Sequence, residues 1–390
     1  MIYLDNNATT AIDPAVAAAM AEEYSLGPAN ASSQHAVGRA AAQRMDDAVQ
    51  RIGVSLGCDF SLPGGPRLIL TSGGTESNNL ALAGLGGPHS PLLVSSLEHA
   101  SVLAFAQRSE KNGRRVFYAP ATCDGVVDVD AFTDQLHQAS RLADVLPVVS
   151  IMSANNETGV IQPIESISSV CRAAGASLHV DATQSFGKVP FDVKSIDADA
   201  ITVTSHKFHG PAGVGALWLA PGVSLEPQFF GGEQQLTTRP GTEPVALVIG
   251  MAIALQLAVD NQSVACQRMS QLRDHLEAQL FDAIPDLLIH GSSATRLPST
   301  TCVSFPGVDR QNMLMALDLA GIACSSGSAC SSGSSPPSHV LQAMRAEDWA
   351  IRSAIRFSVS RLSTMQEVTQ AIELICRVYN RLRSGSIVEN

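Results

Sequence analysis

Between Arg67 and Leu219 the chain repeats one rhythm: a short run of aliphatic and β-branched residues, a turn of small polar residues, then a segment with helical spacing. The runs are Arg67–Thr71, Leu92–Ser96, Val145–Met152, Ser177–Asp181, Ala200–Thr204 and Val214–Leu219. Strand–helix alternation of this kind predicts a mainly parallel sheet covered by helices. Between the runs, Val37, Ala41, Ala48, Val49 and Ile52 fall at helical spacing, and residues 163–174 follow the same period.

After Val259 the pattern changes. A long helical stretch (263–283), a strand (301–305), a helix (310–320), a Ser/Gly/Cys loop and a terminal helix predict a smaller α+β unit. With 390 residues the chain exceeds one small core, so two domains are expected: residues 12–259 as the large one, and 1–11 with 260–390 as the small one. Hydrophobic residues make up 45% and charged ones 16%, which gives ample surface to bury. A formal charge of −11 leaves no basic footprint for nucleic acid or an anionic membrane. The N-terminus lacks the basic and apolar regions of a signal peptide, and the apolar run 245–259 is too short to span a bilayer. Eight cysteines without a Cys-x-x-Cys pair point to reduced thiols and a cytoplasmic location.

In open α/β sheets ligands collect at the carboxyl ends of the strands, and four of those ends carry polar groups with a common purpose. Thr71-Ser72-Gly73-Gly74-Thr75-Glu76 leads from a strand into a helix, whose free amides and dipole suit an anion. Asn155-Asn156-Glu157-Thr158-Gly159 and His179-Val180-Asp181-Ala182-Thr183-Gln184 follow two further runs. A buried Asp181 needs a partner, and a protonated pyridine nitrogen is one; capping the next helix is the structural alternative. The fourth end is Thr204-Ser205-His206-Lys207. A lysine there, off any charged face, suits Schiff-base chemistry if its surroundings depress its pKa, and Thr204 and His206 beside it suit a phosphate.

Taken together these residues resemble the class V aminotransferase-type enzymes that use pyridoxal 5′-phosphate (PLP). The chain is most similar to the cysteine desulfurases of the nitrogen-fixation and iron–sulfur-assembly type. The resemblance runs from Tyr3-Leu4-Asp5-Asn6-Asn7-Ala8-Thr9-Thr10 to Ile355-Arg356-Phe357-Ser358. It implies a PLP-dependent transferase of fold type I: a mainly parallel seven-stranded sheet in the large domain, a smaller α+β domain and a homodimer. By the same resemblance Lys207 carries the cofactor, Asp181 pairs with its ring nitrogen, His99 stacks on the ring, and Asn156 and Gln184 contact the ring substituents. Gly74, Thr75, Thr204 and His206 would bind the phosphate, with Thr242 reaching it from the partner subunit.

The family's second catalytic group is a cysteine in Ser-Ser-Gly-Ser-Ala-Cys, present here as Ser325–Cys330. A nucleophilic thiol that travels between substrate and acceptor suits such a small-residue loop, whereas Cys324 is expected to pack at the loop base. Arg356 matches the family's clamp on the substrate carboxylate, a contact suited to a planar fork. The expected reaction takes L-cysteine to L-alanine and passes sulfur to Cys330 as a persulfide. Its destination is a sulfur-acceptor or iron–sulfur scaffold protein, with Cys330 as a transient iron–sulfur ligand and no structural metal site.

Other readings account for less. Gly53-Val54-Ser55-Leu56-Gly57 matches a serine-hydrolase pattern but closes a helical segment. His206 with His209, and His179 with Asp181, lack a third ligand at zinc-like spacing. A cysteine hydrolase built on Cys330 leaves Lys207 and Asp181 unexplained. Selenocysteine lyase, another PLP-dependent lyase or aminotransferase, and a non-catalytic PLP-binding scaffold share the cofactor site. The chain departs from the family pattern at Gly231-Gly232-Glu233-Gln234-Gln235, Pro240, Ala212 and Ala31, positions that bear on the dimer-interface loop and the substrate entrance.

Overall fold

The expected apolar runs hydrogen-bond side by side, with an edge strand added that the sequence pattern did not mark. The structure is a computed structural model and describes residues 1–141, 145–327 and 336–386. Its strands are β1 (Ile2–Tyr3), β2 (Arg67–Thr71), β3 (Leu92–Ser95), β4 (Val116–Ala119), β5 (Val148–Met152), β6 (Ser177–Asp181), β7 (Ala200–Thr204), β8 (Gly215–Leu219), β9 (Leu288–Ile289), β10 (Thr300–Ser304), β11 (Ile322–Ala323) and β12 (Ala354–Ser358). Seven of them form one sheet in the order β2-β8-β7-β6-β5-β3-β4. Only β8 runs against the others, being antiparallel to both β2 and β7.

Strands β5, β7 and β8 are buried at every position, because helices cover both faces of the sheet. β4 is an edge strand and half-buried over most of its length. Its weaker apolar signal is why the pattern passed over it. β5 starts at Val148, three residues later than expected, because Pro147 has no N–H to donate to the ladder.

The sheet and its helices share one large apolar core. A second core gathers Ile2 and Leu4 with residues 265–379, around the antiparallel sheet β12-β10-β9 and the parallel pair β1-β11. The N-terminal strand thus packs with the C-terminal part of the chain. From there residues 5–13 cross to the large sheet, where Thr10 and Asp13 donate their N–H groups to the carbonyls of His206 and His209, both at 2.9 Å. Among the described residues no single helix is long and apolar enough to cross a membrane.

Candidate active site

The sheet's direction brings five strand ends to one place. Beyond the carboxyl ends of β2, β3, β5, β6 and β7 lies a cavity of about 520 Å³, lined among others by Gly74, Thr75, His99, Asn156, Asp181, Gln184, Thr204, His206, Lys207 and Arg356. Every site residue expected from the sequence therefore lines this one cavity, apart from Thr242 and Cys330. Thr242 borders a separate surface groove with Phe230 and Pro240. Cys330 lies outside the described residues, although Ser325, Gly327 and Pro336 on either side of residues 328–335 line the cavity.

Lys207 ends a short 3₁₀ turn, Ser205–Lys207, made as the chain leaves β7 and reverses into β8. Its Nζ donates to the backbone carbonyls of Asn7 at 2.6 Å and Ala8 at 2.7 Å. Burial, reinforced by the nearby Arg356 guanidinium, lowers its pKa to about 8 against the partial opposition of Asp5 and Asp181. Such an amine is deprotonated far more readily than a surface lysine.

Asp181 closes β6 and is buried. Its Oδ2 accepts from Asn78 Nδ2 at 2.8 Å and its Oδ1 from the Thr183 amide at 2.9 Å. Asn78 Nδ2 also donates to Ser101 Oγ at 2.9 Å, and that hydroxyl lies 2.8 Å from His99 Nδ1. His99 caps the helix Ala100–Lys111 by accepting the Ser101 N–H at Nδ1. With that lone pair engaged, the neutral ring carries its proton on Nε2. Burial lowers the His99 pKa, which favours this neutral form.

At the end of β2 the helix Gly74–Gly84 begins without a side-chain cap at Gly73. Its backbone sits so close to Thr183 that a Cβ on Gly74 would lie 3.2 Å from the Thr183 Oγ1. The hydroxyls of Thr183 and Thr204 are both buried with no partner among the described residues. An uncapped helix N-terminus beside two unsatisfied hydroxyls is a cradle for an anion. His206 borders the same region, its Nδ1 3.2 Å from Thr9 Oγ1, and burial lowers its pKa to about 4.

Across the cavity, Arg356 projects from β12 and is buried. It donates from one terminal nitrogen to the Asn156 carbonyl at 3.0 Å and from the other to Asp5 Oδ1 at 2.6 Å, leaving Nε without a partner among the described residues. Gln184 donates from Nε2 to the Asn7 carbonyl at 3.1 Å. Cys324 is half-buried against the second core, and burial raises its thiol to about 12. The residues of the competing motifs have structural work. His179 is held between Ser150 and Thr202, each at 2.8 Å, and Ser55 is the last residue of the helix Ala36–Ser55.

Sequence reasoning did not single out Asp5, Asn7, Glu157, Lys188 or His339, all of which support the cavity. Asn7 and Glu157 lie inside motifs quoted above, so their neighbours were a usable signal. Lys188 and His339 sit in unremarkable segments and are recruited by tertiary packing. Glu157 accepts from Ser338 Oγ at 2.5 Å, and His339 lies 2.9 Å from the Glu98 carbonyl through Nε2.

Comparison with known proteins agrees with this geometry. The family model described as Aminotransferase class-V matches residues 2–371. A protein of Sinorhizobium fredii (strain NBRC 101917 / NGR234) named cysteine desulfurase is 39% identical over 388 residues, 98% of each chain. The X-ray structure of a NifS-like protein from Rickettsia africae superposes with a TM-score of 0.89 at 31% identity, covering 97% of this chain and 99% of that one. SspA in complex with cysteine superposes with a TM-score of 0.76 at 28% identity, covering 93% and 100%. With its sheet order, its strand-end cavity and these matches all in accord, the chain belongs to the class-V aminotransferase family.

Proposed function

We propose that the chain is a cysteine desulfurase: it holds PLP in the strand-end cavity, converts L-cysteine to L-alanine and takes up the sulfur on Cys330 as a persulfide. One observation carries this reading. A lysine with a pKa lowered to about 8, a carboxylate held at both oxygens and an anion cradle with two unpartnered hydroxyls face a single cavity.

The residues fit the cofactor at each of its polar groups. Gly74, Thr75, Thr204 and His206 would hold the phosphate, where the free hydroxyl of Thr204 gains the partner it lacks. Asp181 would receive the ring N–H, His99 would stack on the ring, Asn156 and Gln184 would meet its substituents, and Lys207 would bond its aldehyde carbon. Thr242, which lies outside its own cavity, would complete the phosphate site of a partner subunit in a homodimer. When bound, PLP withdraws electrons from the substrate α-carbon and so eases loss of the α-proton.

The chain's own residues then divide the work. Arg356 binds the substrate carboxylate. The Lys207 amine takes the α-proton at Nζ, and His99, with its Nε2 proton, serves reprotonation. The Cys330 thiolate attacks the substrate sulfur, so that an S–S bond forms as the Cβ–S bond breaks. The electron pair of the broken bond stays with the carbon fragment, which takes up a proton and leaves as alanine. Ser325 and Gly327, which line the cavity on one side of residues 328–335, and Pro336 on the other support Cys330 as the group that enters. In a reducing cytoplasm the persulfide would pass to an acceptor protein for iron–sulfur cluster assembly or another sulfur-containing product.

Two variants test the assignment. Lys207→Ala is expected to abolish the visible absorbance of the lysine-bound cofactor and to lower turnover on the order of a hundred- to ten-thousand-fold. Cys330→Ala is expected to keep that absorbance and lose persulfide formation. Wild-type sulfur release by Cys330→Ala defeats the nucleophile assignment, and a purified protein that remains colourless with added PLP defeats the whole reading.

A further inference from the structure

Lys188 is a buried lysine whose two hydrogen-bond partners are neutral amides. Its Nζ donates to Gln184 Oε1 at 2.5 Å and to Asn7 Oδ1 at 2.9 Å, and the residue is 5% exposed. Burial, with Lys207 and Arg356 nearby, holds its pKa well below that of an ordinary lysine. Charged or neutral, the amine carries at least two N–H groups, enough for both oxygens.

An amide has one accepting end and one donating end, and its neighbours decide which way each faces. Asn7 Nδ2 is committed to the Asn156 carbonyl at 3.1 Å and to Thr300 Oγ1 at 2.9 Å, so its Oδ1 is what remains for Lys188. Gln184 Nε2 meets the Asn7 carbonyl, which can only accept, so Oε1 turns to Lys188. That same carbonyl receives Lys207 Nζ at 2.6 Å. One connected set of hydrogen bonds therefore runs from Lys188 through Gln184 and Asn7 to Lys207. With Oε1 turned to Lys188 and one Nε2 hydrogen used at Asn7, the second Nε2 hydrogen is the donor that the Gln184 amide has left to offer the cavity.

We propose that Lys188 is a positioning residue that anchors the Gln184 amide through its oxygen, so that Gln184 presents its remaining N–H to an oxygen of the bound cofactor. This rests on the reading that PLP occupies the cavity. Without Lys188 the Gln184 oxygen loses its buried donor, and the amide, left with the Asn7 carbonyl as its one anchor, no longer holds its second N–H towards the ligand.

The test titrates PLP into apo protein and follows the pH dependence of the visible band of the Lys207-bound cofactor. Lys188→Met is expected to bind PLP on the order of tenfold more weakly, the equivalent of one lost hydrogen bond to a polar ligand atom. The pH midpoint of the band should rise, since a ring oxygen deprived of an N–H donor is a stronger base. In a Gln184→Met background the same substitution should add nothing to either readout, because the residue through which it acts is gone. If Lys188→Met does not fold, Lys188→Gln takes its place; it keeps an N–H donor, and a smaller shift in the same direction is expected. Unchanged affinity and midpoint in a folded variant, or an undiminished effect in the Gln184→Met background, overturns the inference alone. A wild-type protein that gains no band with PLP overturns the cofactor reading and the inference with it.

Discussion

Asp5 and Arg356 stand 351 residues apart in sequence and form a 2.6 Å ion pair on the cavity wall. The guanidinium is also held by the Asn156 carbonyl, so it reaches the cavity already oriented. Its buried charge is offset by the Asp5 carboxylate. A lysine at this position would keep the charge and lose the planar fork.

Arg356→Lys should therefore weaken substrate binding. Hydrogen bonds to charged groups contribute about 1.5–3 kcal/mol, so KM for L-cysteine is expected to rise on the order of tenfold to a hundredfold. Initial rates of alanine formation against cysteine concentration measure this, and an unchanged KM rules out Arg356 as the carboxylate clamp.

Thr204→Val should separate stability from cofactor binding. The Thr204 hydroxyl is buried without a partner among the described residues, so replacing it with a methyl of similar shape is expected to leave apo stability unchanged or higher. PLP affinity should fall by about 1 kcal/mol, the contribution of one hydrogen bond. Urea unfolding of the apo protein and equilibrium PLP titration read the two effects, and undiminished PLP affinity removes Thr204 from the phosphate site.

The lowered pKa of Lys207 gives the apo protein a pH-dependent term of known sign. An ordinary lysine near 10.5 falls to about 8 in the fold. Between those values the unfolded chain binds the proton and the folded one does not, so this term makes stability rise with pH. Below pH 8 the term is fully unfavourable, and above 10.5 it vanishes. The stability difference between wild type and Lys207→Met, measured by urea unfolding across pH 7–11, should follow that slope; a difference independent of pH shows that the amine is not depressed.

Glu157 joins the chain on either side of residues 328–335. Its carboxylate accepts from Ser338, and a Cβ on Gly327 would lie 2.5 Å from its Oε2. Glu157→Ala leaves the buried Ser338 hydroxyl without its acceptor and is expected to cost about 1–3 kcal/mol of stability. Glu157→Gln keeps an acceptor and should cost less. Equal losses in the two variants, measured by chemical denaturation, would assign the effect to the charge and not to the hydrogen bond.

The large sheet was legible because its strands announce themselves locally. The bounds of β2, β6 and β7 agree with the β-rich runs Arg67–Thr71, Ser177–Asp181 and Ala200–Thr204, since strands covered on both faces carry buried apolar residues at close intervals. The polar residue that ends such a run, as Asp181 does, then stands out. Pro147 shortened β5 and partial exposure hid β4, both local effects that a pattern of hydrophobicity alone does not register.

By itself the sequence determined the strand–helix alternation, the polar strand ends and hence the side of the sheet on which Gly74, Asp181 and Lys207 gather. Only the tertiary structure decided what surrounds them. The Asn7 carbonyl meets Lys207 across 200 positions, Asp5 meets Arg356 across 351, and Lys188 reaches both Gln184 and Asn7. Those contacts depend on the N-terminal segment crossing from the second core to the sheet. Hydrophobic period is a property of neighbouring residues, whereas hydrogen-bond polarity and depressed pKa values come from burial among groups distant in the chain.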